Sequence, residues 1–493
     1  MEALRIIKKI KGLLLQNRTS RQTVVKNIAW LGISQLAGRL IRGLFIIFAA
    51  RLLGATEYGV FSYALGLAGF FTLFADIGVN SILTKEISHK PEKASQYFAT
   101  SFWIKIVLLI FTTLLLVFVA PYFSKIESAK TLLYFVALLT IFDNIREFVN
   151  ASFRAKEKME FEALVNVLMN VAIAVIGAIV LFFSQTARAI TISYVGSAGV
   201  GFLVAAFIAR EEFRKIISAF DKNLIKPIIS LALPIAIAGF LGVFMLNIDI
   251  VMLGWFRPAQ EIGFYSAGQR IVQLLYMIPA IIASALFPAL SRAAGNKENQ
   301  KVALIMEKGM ASIYTLAFPL VIGGIILAKP LMNFLYGNEY LPGVLTFQIL
   351  LITILVIFPQ TLLGNMVLAY DKQKKFAIFI AFASIGNIVF NYLLIPKFGI
   401  VGSAAATVIV QIIYSGLVWN MAKKINPFKT IIYLKKLLIA SIFMGVIAFT
   451  LNQLQLPVII NIATSAISYI AILFVIRENI MNEAKVIMKV FRK

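Results

Sequence analysis

Fourteen apolar runs separated by short polar connections constrain the fold of this chain more than any other feature. Each run is about 20 residues long or longer, the length that an α-helix needs to cross the hydrocarbon core of a bilayer. Because backbone groups in lipid must bond to each other, we expect each run to be a helix. The sequence predicts an all-α polytopic membrane protein with about 14 transmembrane helices. The predicted spans are 28–51, 59–83, 98–120, 129–152, 161–183, 189–209, 228–254, 262–288, 306–328, 341–368, 376–395, 401–421, 433–451 and 457–476.

The basic residues follow the alternation of these spans. The chain has 60% hydrophobic residues and a net charge of +25, which alone could indicate a nucleic-acid partner. With the N-terminus in the cytoplasm, however, thirty-five of the 47 Lys and Arg residues fall on the cytoplasmic side, seven outside and five within spans. This is the positive-inside pattern. It predicts a multi-pass protein of the cell membrane with both termini cytoplasmic, and it explains the basic charge without nucleic acid.

A weak internal repeat predicts how the spans are grouped. Leu53-Gly54 after span one is matched by Leu253-Gly254 after span seven, and residues 195–198 are matched by residues 401–404. A parallel repeat of this kind places a substrate cavity between two bundles of six helices. The predicted divisions are an amphipathic cytoplasmic segment 1–27, an N-lobe 28–209, a cytoplasmic linker 210–227, a C-lobe 228–421, spans thirteen and fourteen within 422–476, and a basic cytoplasmic tail 477–493.

Two arginines in the middle of span one are the strongest functional signal. Arg39 and Arg42 are three residues apart and therefore share one face of the helix. Each costs roughly 3 kcal/mol at the membrane centre, whereas each Leu, Ile or Phe returns only about 0.3–0.6 kcal/mol. We therefore expect both to face a protein interior or a wet cavity where an anion could meet them. The alternative is a structural role, in which they pair with carboxylates on neighbouring helices.

Other ionisable groups within spans are candidates for the same reason. Asp249 on span seven is a candidate site for a proton or cation, or it simply neutralises Arg270 on span eight. Asp143, Arg146 and Glu147 share one face of span four, where a local salt-bridge network is the main alternative to contact with a charged headgroup.

The second and third spans carry one charge each that needs an explanation. Asp76, near the cytoplasmic end of span two, is either a helix-terminal residue or a substrate contact. Lys105, just inside span three, is expected to extend its amine to the interface.

Uncharged polar residues and glycines predict close helix packing. Asn166 and Asn170 on span five, and Asn387 and Asn391 on span eleven, are each one turn apart. They could bond a sugar, but hydrogen bonds between helices are the commoner use. A glycine cluster at 196–201 indicates close packing rather than a nucleotide site.

Several absences exclude whole classes of chemistry. The chain has no cysteine and one histidine, which argues against a metal site or a Ser-His triad. It has no phosphate-binding G-x-x-x-x-G-K-[ST] motif, so direct ATP hydrolysis is not expected. No predicted external loop is large enough to hold the active site of a glycan polymerase or ligase. We therefore predict no catalytic residues, no cofactor and no enzyme activity.

The motifs around spans one, two and seven resemble a known family. They are residues 53–59 with Glu57-Tyr58-Gly59, residues 74–78 with Asp76-Ile77-Gly78, and residues 247–267 with Asn247-Ile248-Asp249. This pattern resembles the polysaccharide-biosynthesis flippases of the multidrug/oligosaccharidyl-lipid/polysaccharide exporter superfamily, over nearly the whole chain.

The resemblance implies a V-shaped pair of bundles that moves a polyprenyl-(pyro)phosphate-linked oligosaccharide to the outer leaflet by alternating access. It implies a cationic cavity, for which Arg39, Arg42, Arg270, Arg146 and Asp76 are the substrate-binding candidates. It also implies coupling to Na⁺ or H⁺, and the candidates there are Asp249 and Asp143.

The expected partners are the lipid-linked substrate, membrane lipids and the glycosyltransferases or polymerase of the same pathway, with the protein itself a monomer. Two alternatives within the superfamily remain open. One is a flippase for the lipid precursor of peptidoglycan, and the other is a cation or drug antiporter.

Overall fold

A computed structural model describes residues 20–476, and its regular elements are all helices. The predicted amphipathic segment 1–27 and basic tail 477–493 therefore lie outside the described residues, except that residues 20–27 continue into the first span. The helices are α1 Ser20–Thr72, α2 Val79–His89, α3 Ala94–Leu114, α4 Glu127–Ala155, α5 Met159–Phe183, α6 Ala187–Ile208, α7 Arg210–Arg214, α8 Ile225–Phe256, α9 Ala259–Leu275, α10 Met277–Gly295, α11 Asn299–Ile326, α12 Ala328–Tyr336, α13 Val344–Ala369, α14 Gln373–Ile425, α15 Ile431–Gln453 and α16 Val458–Val475.

Two of these helices are each two spans joined at a glycine. α1 bends at Gly54, whose φ is 71°, and α14 bends at Gly399, whose φ is 58°. Both values lie in the left-handed region, which glycine reaches without the steric penalty of a Cβ. The bends fall where the sequence predicts span one to end and span eleven to meet span twelve.

The number of spans agrees with the prediction. Ten described segments are long and apolar enough to cross a membrane. One of them, Trp30–His89, contains most of the bent α1 together with α2, and another is the bent α14. α4 and α8, with 29 and 32 residues, also have the length to cross, although α4 carries several charges. Counting both arms of each bent helix gives fourteen spans within residues 20–476. The chain is an all-α multi-pass membrane protein.

Span two differs from the single helix that its apolar run predicts. The second arm of α1 ends at Thr72, and a short 3₁₀ turn over Leu73–Ala75 follows. Asp76 then leaves the helical conformation, and α2 starts after Gly78, whose φ is 91°. The run is therefore broken beside Asp76, because a left-handed residue cannot continue an α-helix.

The described chain packs as two compact units, one up to Trp255 and one from Phe256. In the first unit, α8 packs with residues that precede α4. The rings of Phe70 and Phe244 meet edge to face at 5.1 Å, and the indole N–H of Trp255 donates to the Phe123 carbonyl at 2.7 Å. In the second unit, the Tyr336 hydroxyl donates to the Ala267 carbonyl at 3.1 Å.

These units follow packing, whereas the predicted lobes follow the internal repeat. The repeat assigns span seven to the second half, and contacts assign most of α8 to the first unit. Because packing and repeat are different criteria, the predicted lobe boundaries stay a prediction.

Candidate functional site

A polar pocket of about 330 Å³ lies in the first unit among α1, α4 and α5. We call it the arginine pocket, because four arginines and only two glutamates line it. The excess of positive charge makes it suited to an anion. Its lining residues are Ser34, Gln35, Gly38, Arg39, Arg42, Arg146, Glu147, Arg154, Glu162, Asn166, Met169 and Asn170.

Arg39 and Arg42 contribute the part of this positive charge that is not paired within the described residues. Both are exposed side chains on α1 that line the pocket, as the sequence predicts. In the part of the chain that the structure describes, neither forms a salt bridge. The structural alternative, pairing with carboxylates on neighbouring helices, is therefore not what the described residues do. Two guanidinium groups remain available to a ligand.

Arg146 on α4 is held in place by its neighbours. Its side chain is 8% exposed and lies 3.2 Å from Asp143 and 3.0 Å from Glu147. Its Nη1 also donates to the Asn166 Oδ1 on α5 at 2.6 Å. The predicted salt-bridge network of Asp143, Arg146 and Glu147 is confirmed, and it fixes the direction of the guanidinium that faces the pocket.

Two further charged residues of the pocket were missed by the sequence reasoning. Arg154 lies 3.6 Å from Glu147 and 3.4 Å from Glu162, whose own side chain is only 3% exposed. Arg154 falls just beyond the predicted end of span four, so it counted only as a loop charge. Helical spacing would have found both, because Glu147 and Arg154 are seven residues apart and Glu162, Asn166 and Asn170 recur every four residues.

Two glycines bring the walls of the pocket together. A Cβ on Gly38 of α1 would lie 2.6 Å from the Asn170 Nδ2 of α5. A Cβ on Gly201 of α6 would lie 2.8 Å from the Cδ of Arg146. The glycine cluster at 196–201 therefore allows close packing, as predicted, and α6 contacts the Arg146 side chain at Gly201.

Asp76 and Lys105 form a separate pair outside the pocket lining. Lys105 is completely buried, and its Nζ lies 3.5 Å from the Asp76 Oδ1. The predicted extension of Lys105 to the interface is wrong, because the break in span two places a carboxylate within reach. The same Asp76 oxygen accepts from the Asn80 backbone N–H at 3.2 Å, so the helix-terminal role is also present.

Asp249 and Arg270, the remaining candidates, do not line the pocket. Asp249 on α8 is 2% exposed, and Arg270 on α9 is half-buried; each has interactions within the protein. They belong to different units. Their pairing, and the roles assigned to Asp249, Arg270, Asp76 and Asp143, stay predictions.

The asparagines of span eleven have a closed set of partners. Asn391 donates to the Asn387 Oδ1 at 2.8 Å, and the Ser403 hydroxyl, beyond the bend at Gly399, donates to the Asn391 Oδ1 at 2.9 Å. The predicted hydrogen bonding between helices is confirmed for this pair.

Comparison with known families gives two matches. A family model described as "Polysaccharide biosynthesis protein" matches residues 24–294, more than half of the chain. A second model, described as MatE, matches residues 234–393.

Two curated relatives are similar over most of their length. One, named "Probable low-salt glycan biosynthesis flippase Agl15", is from Haloferax volcanii and is 20% identical over 85% of this chain and 93% of its own. The other is the capsular polysaccharide biosynthesis protein CapF of Staphylococcus aureus, which is 20% identical over 79% of this chain and 97% of its own.

Two solved structures are similar in fold. The lipid II flippase MurJ in an inward closed conformation has a TM-score of 0.73 and 17% identity, covering 92% of this chain and 100% of its own. An inward-facing multidrug resistance MATE family transporter has a TM-score of 0.64 and 15% identity, covering 79% and 98%. At these identities the similarity shows a shared fold.

Proposed function

Because the chain belongs to the polysaccharide biosynthesis protein family, we propose that it is a flippase for a polyprenyl-(pyro)phosphate-linked oligosaccharide. It would carry this lipid from the cytoplasmic to the outer leaflet by alternating access. The observation that carries the proposal is the exposure of Arg39 and Arg42 in the arginine pocket, without a salt bridge among the described residues. No bond of the substrate is made or broken in such a step.

The pocket supports a phosphate ligand on physical grounds. A phosphate matches the planar fork of a guanidinium group and accepts charge-assisted hydrogen bonds from it. Arg146 is already bonded to Asp143, Glu147 and Asn166, which hold its guanidinium in place at the wall. Arg39 and Arg42 would close on the phosphate itself. The same excess of positive charge opposes a cationic drug, which makes the antiporter alternative the weaker one.

The direction of transport requires a source of free energy, for which we propose a Na⁺ or H⁺ gradient. Asp249 is the first candidate for the coupling ion because it is buried on a membrane helix, and Asp143 is the second. Arg270 would assist with the phosphate. The ion must bind one open state better than the other, since a ligand with equal affinity for both shifts nothing.

We further propose that the protein acts as a monomer in the cell membrane, with both termini in the cytoplasm. The glycosyltransferases or polymerase of the same pathway would build its substrate before transport or use it afterwards.

Reconstitution of the full chain in liposomes tests the proposal. The assay measures the appearance of a labelled polyprenyl diphosphate-linked oligosaccharide in the outer leaflet, for the wild type and for Arg39→Ala, Arg42→Ala and the double variant. A charge-assisted hydrogen bond is worth about 1.5–3 kcal/mol, so each single variant should slow translocation by about 10-fold or more.

Arg214→Ala is the matched control, because Arg214 is an exposed arginine on α7 that pairs only with Glu211 among the described residues. It should transport at the wild-type rate. Unchanged translocation in the Arg39 and Arg42 variants would refute the site, and transport of the peptidoglycan lipid precursor in preference to the oligosaccharide lipid would favour the alternative substrate.

A further inference from the structure

Glu147 on α4 interacts with positive charges on two sides. In the arginine pocket its carboxylate lies 3.0 Å from Arg146 and 3.6 Å from Arg154. It also interacts electrostatically with Lys105 of α3, which does not line the pocket. Because the Glu147 side chain is 40% exposed, its carboxylate has room to change position. Glu147 therefore connects the pocket with the buried pair of Asp76 and Lys105.

The two pocket arginines keep a counter-charge without Glu147. Arg146 also lies 3.2 Å from Asp143, and Arg154 also lies 3.4 Å from Glu162. Loss of one member of a buried ion pair is costly when it leaves the other charge alone, and neither guanidinium would be left alone here. Glu147 can therefore leave both arginines without isolating either charge.

Lys105 has hydrogen-bond donors that the described residues do not fill. Its ammonium group carries three N–H donors, it is completely buried, and its Nζ has no hydrogen-bond partner among the described residues. Asp76 neutralises its charge at 3.5 Å, which is longer than the roughly 2.7–2.9 Å of a charge-assisted hydrogen bond. A buried donor without a partner costs about 1–3 kcal/mol, so Lys105 would gain from a second acceptor.

The packing of α3 on α4 brings Lys105 and Glu147 to one level of the first unit. The rings of Phe102 on α3 and Phe148 on α4 meet at 5.9 Å. Lys105 follows Phe102 by three residues, and Glu147 directly precedes Phe148. Both charged residues are therefore within one helical turn of the same contact, which agrees with their electrostatic interaction.

A phosphate in the arginine pocket would compete with Glu147 for the same guanidinium groups. Phosphate and carboxylate both accept charge-assisted hydrogen bonds from arginine, and the two anions repel each other. A bound phosphate would thus displace the Glu147 carboxylate from the arginines. Lys105 offers that carboxylate a positive charge with unfilled donors.

We propose that Glu147 exchanges partners when the phosphate binds: it pairs with Arg146 and Arg154 in the empty pocket and with Lys105 in the occupied one. Lys105 is then a positioning residue for phosphate binding that does not touch the lipid. Because Lys105 also pairs with Asp76, the exchange transmits occupancy of the pocket to the break in span two at residues 73–78. The inference rests on the proposed function and adds to it a route from the bound phosphate to a break in a membrane helix.

Equilibrium binding of a radiolabelled polyprenyl phosphate to the detergent-solubilised full chain tests the exchange. Glu147→Gln removes the competitor of the phosphate and should strengthen binding by about 3–10-fold. The double variant Asp76→Asn with Lys105→Met removes the second position of Glu147 without changing the net charge, so binding should weaken by about 3–10-fold. In the Glu147→Gln background the same double variant should change binding by less than about twofold, because no carboxylate is left to exchange.

Hydrogen–deuterium exchange of residues 73–80, with and without the lipid, gives a second readout. In the wild type the lipid should change the exchange rate of this segment. In Glu147→Gln the lipid should bind without that change. Glu127→Gln is the matched control, because Glu127 is also on α4 and pairs with Lys130 at 2.6 Å, with 83% of its side chain exposed. The control should behave as the wild type in both measurements.

The outcomes separate the two proposals. Additive effects of the Glu147 and the Asp76 with Lys105 substitutions on affinity would refute the partner exchange, and so would an equal response of residues 73–80 in the wild type and Glu147→Gln, whether present or absent. If Glu147→Gln fails to fold, an unchanged affinity of the Asp76→Asn with Lys105→Met variant refutes it. If the lipid does not bind, or binds equally well to Arg39→Ala, the phosphate site of the proposed function is refuted instead.

Discussion

Spans five and eleven each carry two asparagines one helical turn apart, but the amides have different surroundings. On α14, Asn391 bonds to Asn387 and accepts from Ser403, and all three side chains are buried. On α5, Asn166 accepts from Arg146, and the Oδ1 of Asn170 has no partner among the described residues. The same sequence pattern thus gives amides that bond to neighbouring side chains in one unit, and in the other unit an amide oxygen without a partner among the described residues.

The difference distinguishes two roles for polar groups on membrane helices. A polar group that is satisfied by its own helices rigidifies the bundle, whereas a group left unsatisfied beside a pocket is available to a ligand. Asp76 and Lys105, in the same unit as the arginine pocket, are closed only in charge: they pair at 3.5 Å, while the Lys105 Nζ has no hydrogen-bond partner among the described residues. Loss of a closed group should therefore reduce stability, and loss of an open group should reduce binding.

The largest effect is expected from Asp76→Asn. It leaves the Lys105 ammonium completely buried without its counter-charge, and removal of one member of a buried pair costs about 3 kcal/mol or more. The unfolding temperature in detergent should fall by several degrees. The double variant Asp76→Asn with Lys105→Met should recover most of the loss. Loss of transport at unchanged stability would instead support Asp76 as a substrate contact.

Asn391→Leu should have the next largest effect. The substitution removes the acceptor of Ser403 and the donor to Asn387 inside a fully buried site. With about 1 kcal/mol for each lost hydrogen bond, we expect a loss of about 2 kcal/mol in the free energy of unfolding. Translocation in liposomes, measured as above, should stay within about twofold. A large loss of transport would mean that the span-eleven pair is also open to substrate.

Asn170→Leu should show the opposite balance. It removes one hydrogen bond, to the Asn166 carbonyl, together with an unpartnered buried oxygen, so stability should change by less than about 1 kcal/mol. Translocation of the glycosylated lipid in liposomes should slow by about 3–10-fold. A fall in stability as large as that of Asn391→Leu would erase the distinction between the two amide pairs.

The smallest effect is expected from Lys301→Met, which sets the baseline for both measurements. Lys301 pairs with Glu298 at 2.9 Å on the surface, with 59% of the lysine side chain exposed. Exposed pairs of this kind contribute about 0–1 kcal/mol. Unfolding temperature and transport should both remain near the wild-type values, and a larger shift in either would show that the assays respond to any change of charge.

Much of the fold could be predicted because the length of each apolar run can be read directly from the sequence. The fourteen spans and the position of the bends at Gly54 and Gly399 followed from apolar length and from polar breaks. The break in span two was not predicted, since residues 73–78 remain apolar enough to belong to one run. Asp76 marks the break only once its backbone conformation is known.

The candidate site could be predicted in part. Arg39, Arg42 and Arg146 were selected by the cost of a charge in the membrane, and they do line one pocket. Arg154 and Glu162 were not selected, because they lie at the ends of spans, where that cost is small. Lys105 was assigned to the interface, but the structure buries it against Asp76.

The sequence by itself determined that this chain is a polytopic helical membrane protein and that several charges must avoid lipid. Those conclusions depend on transfer free energies, which are set by residue type and can be read without knowing the fold. Only the tertiary structure decided which charges neutralise each other and which remain available, because α1, α4 and α5 meet across more than a hundred residues of chain. The transfer cost that the sequence assigns to a cation does not say whether a carboxylate or a pocket lies beside it, because its neighbours are set by packing.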